Sequence, residues 1–118
     1  MEDAGYRGLF VWQRARALAI DVFSATRTGA IAKEFSLRDQ MRRAALSVPS
    51  NIAEGTARGT NPDSVRFLRF AKGSLAELAT QADIASAVGL LDVTLAASWQ
   101  RECAELAGML RRLIETRS

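Results

Sequence analysis

Five arginines carry the chemistry this sequence offers most openly. Arg38 and Arg42 are one helical turn apart, Arg66 and Arg69 are three residues apart, and Arg58 lies between the two pairs. A guanidinium is planar, stays charged at any physiological pH and grips phosphate through two parallel hydrogen bonds, so clustered arginines suit anion recognition. Arg14, Arg16, Arg43 and Lys72 add charge on neighbouring stretches. Asp39, Glu54 and Asp63 oppose it, and a solvated, salt-bridged face is the alternative product of the same residues. If the stretches on either side of Arg58 turn back on one another, Arg58 and Arg66 approach the same end. Nucleic acid bound there would be released steeply by salt. Phe67 and Phe70 are expected to be committed to packing, which leaves no aromatic surface for bases. Contacts would then be to the phosphate backbone, with little sequence preference.

Catalytic chemistry is poorly provided for. The chain has no histidine, which removes the commonest general base and metal ligand. Cys103 lies on an apolar helical pattern beside Trp99 and Leu106 and reads as a buried structural thiol. Glu102 and Glu105 read as partners for Arg101 or Arg112 on a solvated edge rather than as an acid–base pair. No CxxC, phosphate-loop or dinucleotide glycine pattern occurs. The expectation is a protein that is not an enzyme, with no catalytic residue, no metal ligand and no cofactor.

These groups must be positioned by 118 residues, enough for one domain spanning residues 1–118 and too few for two of ordinary size. Apolar residues make up 48% and charged residues 25% of the chain, which excludes disorder. The net charge of +3 is mild for a single copy but would multiply on the shared surface of an oligomer. A lone cysteine, an acidic N-terminus without an apolar signal core and no apolar run near the roughly 20 residues that span a bilayer point to the cytoplasm and away from membranes.

Apolar spacing and punctuation predict an all-α chain of four helices, at about residues 9–27, 36–58, 61–88 and 92–116. Ser36 with Asp39 is a weak reciprocal cap for the second, Asn61-Pro62-Asp63 should open the third, and Asp92 can cap the fourth. The third helix has the most regular seam, Ser64, Leu68, Ala71, Leu75, Leu78, Ala82 and Ala85, alternating four- and three-residue steps as helices packed near +20° require. Short connections favour an antiparallel up-down-up-down bundle. Phe67, Phe70, Ile84 and Val88 lie off that seam, with Gly73 and Ser74 between them, and suit contact with another subunit. Gly55 and Gly73 suit close approach of helix backbones.

The second helix holds the most unusual stretch, Met41-Arg-Arg-Ala-Ala-Leu-Ser-Val-Pro-Ser-Asn-Ile-Ala-Glu-Gly55. Its apolar stripe, Leu37, Met41, Ala44, Val48 and Ile52, runs straight through Pro49 instead of ending there. The missing N–H should leave the Ala45 carbonyl unpaired and bend the axis, with Ser47, Ser50 and Asn51 placed to satisfy loosened carbonyls. Asn51 and Glu54 are either a polar contact site or partners of the bent backbone and of an arginine from another helix.

That stretch, together with Phe67-Leu-Arg-Phe-Ala-Lys-Gly-Ser-Leu-Ala-Glu-Leu78 and Thr80-Gln81, resembles the four-helix-bundle family of 23S rRNA intervening-sequence proteins. This family includes the accessory variability determinant proteins of diversity-generating retroelements. The resemblance runs from Leu9-Phe-Val-Trp12 to Leu90-Leu91 and implies a cytosolic homopentamer. It also implies a role with structured RNA or an RNA–DNA intermediate, alongside a reverse transcriptase or ribonucleoprotein. The alternative is a protein-interaction hub whose positive charge is incidental.

Overall fold

Every long periodic segment of the sequence is a helix in the structure: α1 (Phe10–Ala25), α2 (Phe35–Ala57), α3 (Asn61–Ala87) and α4 (Val93–Glu115). Short 3₁₀ turns cover Gly5–Gly8 and Ala30–Lys33. The structure is a computed structural model that describes residues 5–118, and no strand occurs among them. The acidic stretch at residues 1–4 lies outside the described residues.

Each helix packs on two others. α2 touches α1 and α3, and α4 touches α3 and α1, as in a helical bundle with extents of 43 × 25 × 21 Å. The core is lined by Val22 of α1, Met41, Val48 and Ile52 of α2, Leu68, Leu75 and Leu78 of α3, and Trp99, Leu106 and Leu110 of α4. All seven seam residues of α3 are buried. Burying one such aliphatic side chain stabilises the fold by about 1.5–3 kcal/mol, so these stripes dominate its energetics. Ala15 and Ala19 of α1 and Ala44 and Ala45 of α2 are buried in the same core.

Helix ends differ from the sequence reading in detail. Glu34, not Ser36, precedes α2 and makes no side-chain cap, while Asp39 turns to the Arg38 guanidinium at 2.9 Å. Thr60, not Asn61, caps α3, its hydroxyl accepting from the Asp63 N–H at 3.4 Å. A threonine oxygen can serve that donor as an asparagine one can, and Pro62 is tolerated in the first turn, where its missing N–H has no helical partner. Asp92 caps α4 as expected, accepting from the Leu95 N–H at 3.0 Å. α3 stops where Gly89 takes a φ of 80°, a left-handed turn that a side chain would resist. In the α1–α2 connection, unremarked in the sequence, Ile31 is buried and pins the linker to the core.

α2 is continuous through the buried Pro49. The side-chain amide of Asn51 donates to the Ser47 carbonyl and to the Ser47 hydroxyl, both at 2.8 Å, and the Ser74 hydroxyl of α3 donates to the same oxygen at 2.8 Å. The carbonyl served is therefore that of Ser47, not Ala45, because a helical side chain leans back one turn toward the N-terminus. Ser50 is exposed, and Glu54 pairs at 2.9 Å with Arg58, the residue that follows the end of α2. Of the polar residues around the proline, Ser47 is the one that hydrogen-bonds to α3.

The two glycines part company. A Cβ at Gly55 would meet the Ser64 carbonyl oxygen at 3.1 Å and Phe67 and Leu68 carbon atoms at 3.3 Å, whereas one at Gly73 would meet nothing within 4 Å. Gly73 therefore does not mark a close approach within the subunit, and Gly73→Ala should raise stability by about 0.5–1 kcal/mol through helix propensity alone. Gly55→Val should instead lose about 1–3 kcal/mol by overpacking the α2–α3 contact. Urea unfolding followed by far-ultraviolet circular dichroism checks both.

Candidate functional site

Only Arg58, Gly59 and Thr60 separate α2 from α3, so the last turn of one lies against the first turns of the other, with Gly55 on Ser64, Phe67 and Leu68. This short connection gathers the arginines on either side of it. The Arg58 guanidinium lies 4.4 Å from the centre of the Phe67 ring and that of Arg66 lies 4.7 Å from the same ring. Phe70 meets Phe67 edge to face, with centres 5.6 Å apart, and Arg66 also stands 5.8 Å from Phe70. Cations over aromatic faces at exposed positions gain about 0.5–1 kcal/mol each, enough to hold the side chains in register. Arg69 is exposed on the same stretch of α3.

Two carboxylates temper the charge. Glu54 pairs with Arg58 at 2.9 Å, and Asp63 approaches Arg66 only to 3.8 Å. Both pairs are exposed, so an incoming phosphate competes with them at little cost. Within the single subunit Phe70 is 48% exposed, while Phe67 is half-buried. Local spacing placed Phe70 off the core-facing seam, and no other helix among the described residues covers it.

Arg38 and Arg42 belong elsewhere. Arg42 donates to the Thr26 hydroxyl at 2.8 Å and to the Phe23 carbonyl at 3.3 Å, closing the C-terminal end of α1, where a cation is favoured by the helix dipole. Arg38 donates to the Ala32 carbonyl at 3.0 Å and lies over Phe35. Sixteen residues of α2 separate Arg42 from Arg58, about 24 Å along the axis, so the five arginines do not form one patch. The four apolar candidates divide as well. Ile84 and Val88 are 51% and 62% exposed at the far end of α3, and fourteen residues, about 21 Å, separate Ile84 from Phe70.

Other charged groups are structural. Arg14 of α1, rather than Arg101 or Arg112, holds Glu102 and Glu105, with bonds of 2.9 and 2.7 Å to the two carboxylates. Those bonds raise the arginine's pKa further and fix α1 on α4. Trp99 Nε1 donates to Asp21 at 2.6 Å across the same pair of helices.

Cys103 is buried, and desolvation, helped by the Glu102 charge, pushes its thiol from an ordinary 9.0 up to about 12. The neutral thiol is a packing group. An unfolded thiol ionises first, so the stability Cys103 adds is complete below pH 9 and lost as pH rises to about 12, by up to about 1.4 kcal/mol per unit. A thiol reagent at pH 8 should label Cys103 in urea and leave the native protein nearly untouched.

An apolar groove of about 330 Å³ between α1 and α2 escaped the sequence reading. Ile20, Phe23, Leu46 and Pro49 line it, and Arg16 and Arg27 stand at its edge. Ile20 and Leu46 lie outside the apolar stripes of their helices, which is the signal that marks it in the sequence. No helix among the described residues is long and apolar enough to cross a membrane.

The sequence model of a family described as 23S rRNA-intervening sequence protein matches residues 7–112. The match covers all of α1, α2 and α3 and most of α4. No curated protein matches the chain.

Proposed function

The chain belongs to the 23S rRNA-intervening sequence protein family, and from that premise we propose that it is a non-enzymatic, homo-oligomeric scaffold that binds nucleic acid through Arg58, Arg66 and Arg69. The observation that carries this reading is the convergence of Arg58 and Arg66 on the Phe67 ring, with Arg69 exposed nearby. Three guanidiniums at one end of a subunit suit phosphates, and repetition of that end around a ring multiplies modest contacts into avidity. Arg38 and Arg42 act in the fold instead.

The subunit is an antiparallel up-down-up-down bundle. In support, Arg14 meets Glu102 and Glu105 while Asp21, two turns further along α1, meets Trp99, earlier in α4. Pro49 bends α2, and the Asn51–Ser47–Ser74 bonds hold the bend. Copies join as a ring, a pentamer by the family resemblance, through the exposed Ile84 and Val88 end of α3. Structured RNA or an RNA–DNA intermediate is the ligand, a reverse transcriptase or ribonucleoprotein is the associated machinery, and the cytoplasm is the compartment.

A second reading, a protein-interaction hub, draws on the apolar α1–α2 groove. Light scattering of the purified protein with and without a short structured RNA separates the two. The scaffold reading expects a stable oligomer that gains mass with RNA at low salt and loses it at moderate salt. An oligomer indifferent to RNA favours the hub, and a monomer contradicts the ring.

A further inference from the structure

We infer that the α2–α3 junction recognises unpaired nucleotides, by stacking bases on Phe70 and on the Arg58 and Arg66 guanidiniums, rather than gripping phosphate alone. The inference rests on the nucleic-acid reading above and narrows its substrate to single-stranded segments, such as loops and ends.

The aromatic and cationic groups here are interleaved. Along α3 the order is Arg66, Phe67, Arg69, Phe70, and Arg58 arrives from α2 onto Phe67. Phe67 is occupied, with two guanidiniums within 4.7 Å of its ring centre. It anchors both cations beside Phe70. Phe70 stands at 88° to Phe67 and keeps 48% of its surface in solvent, so its ring is held by an edge contact while remaining open to a ligand.

A guanidinium plane and a phenyl face both stack on a nucleobase, and both are tolerant of which base it is. Duplex hides those base faces inside its own stack, so only an unpaired strand can use the array. Arg69 and the cationic edges of Arg58 and Arg66 remain for the phosphates of the same strand. An oligomer contact would also use Phe70, but it would require only apolar bulk. Stacking requires a π face, and that difference makes the two roles separable.

The test is fluorescence anisotropy with a labelled twelve-nucleotide oligoadenylate, alone and annealed to oligouridylate, at one fixed low salt concentration. The inference expects the single strand to bind several-fold more tightly than the duplex, although the duplex carries more charge. Phe70→Ala and Phe70→Leu should each weaken the single strand about tenfold and leave the duplex unchanged, while Phe70→Tyr retains wild-type affinity. A 2-aminopurine placed in the strand should be quenched on binding to wild type and much less on binding to Phe70→Leu. Light scattering and circular dichroism of each variant verify that the oligomer and the helices persist. Equal or tighter duplex binding, or full affinity in Phe70→Leu, overturns the inference while leaving nucleic-acid binding intact. Failure of both probes to bind overturns the nucleic-acid reading, and this inference with it.

Discussion

Trp99→Ala should destabilise the fold by about 3–5 kcal/mol, the range for removing a large aromatic side chain from a packed core. Trp99 is 2% exposed and lies in the same core as Leu106 and Leu110. Its indole also donates to Asp21 at 2.6 Å, so the variant loses packing and a bond across α1 and α4 together. For a chain of this length each kcal/mol lowers the melting temperature by roughly 4 °C, which places the expected drop on the order of 12–20 °C. Trp99→Phe separates the two contributions. It keeps most of the ring and forfeits the donor, and because Asp21 is exposed, water replaces the lost bond. That variant should lose about 1–2 kcal/mol. Thermal unfolding followed by circular dichroism measures both, and a loss below about 1 kcal/mol for alanine would place Trp99 outside the core.

The second large effect is on binding. Replacing Arg58, Arg66 and Arg69 together by glutamine should weaken nucleic-acid affinity by roughly ten- to a hundredfold at low salt, since each arginine on a phosphate contributes a charge-assisted bond and a released counterion. Stability should change little, because all three side chains are exposed and their ion pairs with Glu54 and Asp63 are surface pairs. Arg38 and Arg42 provide the contrast. Arg42→Gln removes the group that closes the end of α1 on Thr26 and Phe23, so its cost falls on folding and leaves affinity unchanged. Anisotropy of a labelled structured RNA, read beside the unfolding midpoint of each variant, checks the separation.

What the sequence revealed and what it concealed divide along the range of the interactions. The stripes of α2 and α3 were legible because apolar spacing is local and repeated: Met41, Ala44, Val48 and Ile52 are buried, and so is the whole α3 seam from Ser64 to Ala85. Helix ends were legible to within a residue or two, because Ser, Thr, Asn and Asp compete for one capping role and Thr60 stands beside Asn61. The meeting of Arg58 with Arg66 followed from a three-residue connection and could be anticipated. The pairing of Arg14 with Glu102 could not, since they are 88 positions apart in the chain and nothing local distinguishes Arg14 from Arg112 as the partner. The degree to which Phe70 is exposed was not legible for a related reason. Helical periodicity says which residues share a face, not whether another helix covers it. The division of the five arginines depended on Arg42 reaching back to α1, a tertiary contact invisible in the spacing of α2.

The most direct test of the central claim, that Arg58, Arg66 and Arg69 form a nucleic-acid interface, is the salt dependence of RNA affinity for the wild type and the triple glutamine variant. The account predicts a steep linear fall of log affinity with log salt in the wild type. In the variant the slope should be shallower by about 0.7 for each of the three arginines that contacts a phosphate of an unpaired strand. Absence of binding at low salt, or identical slopes for the two proteins, would contradict it.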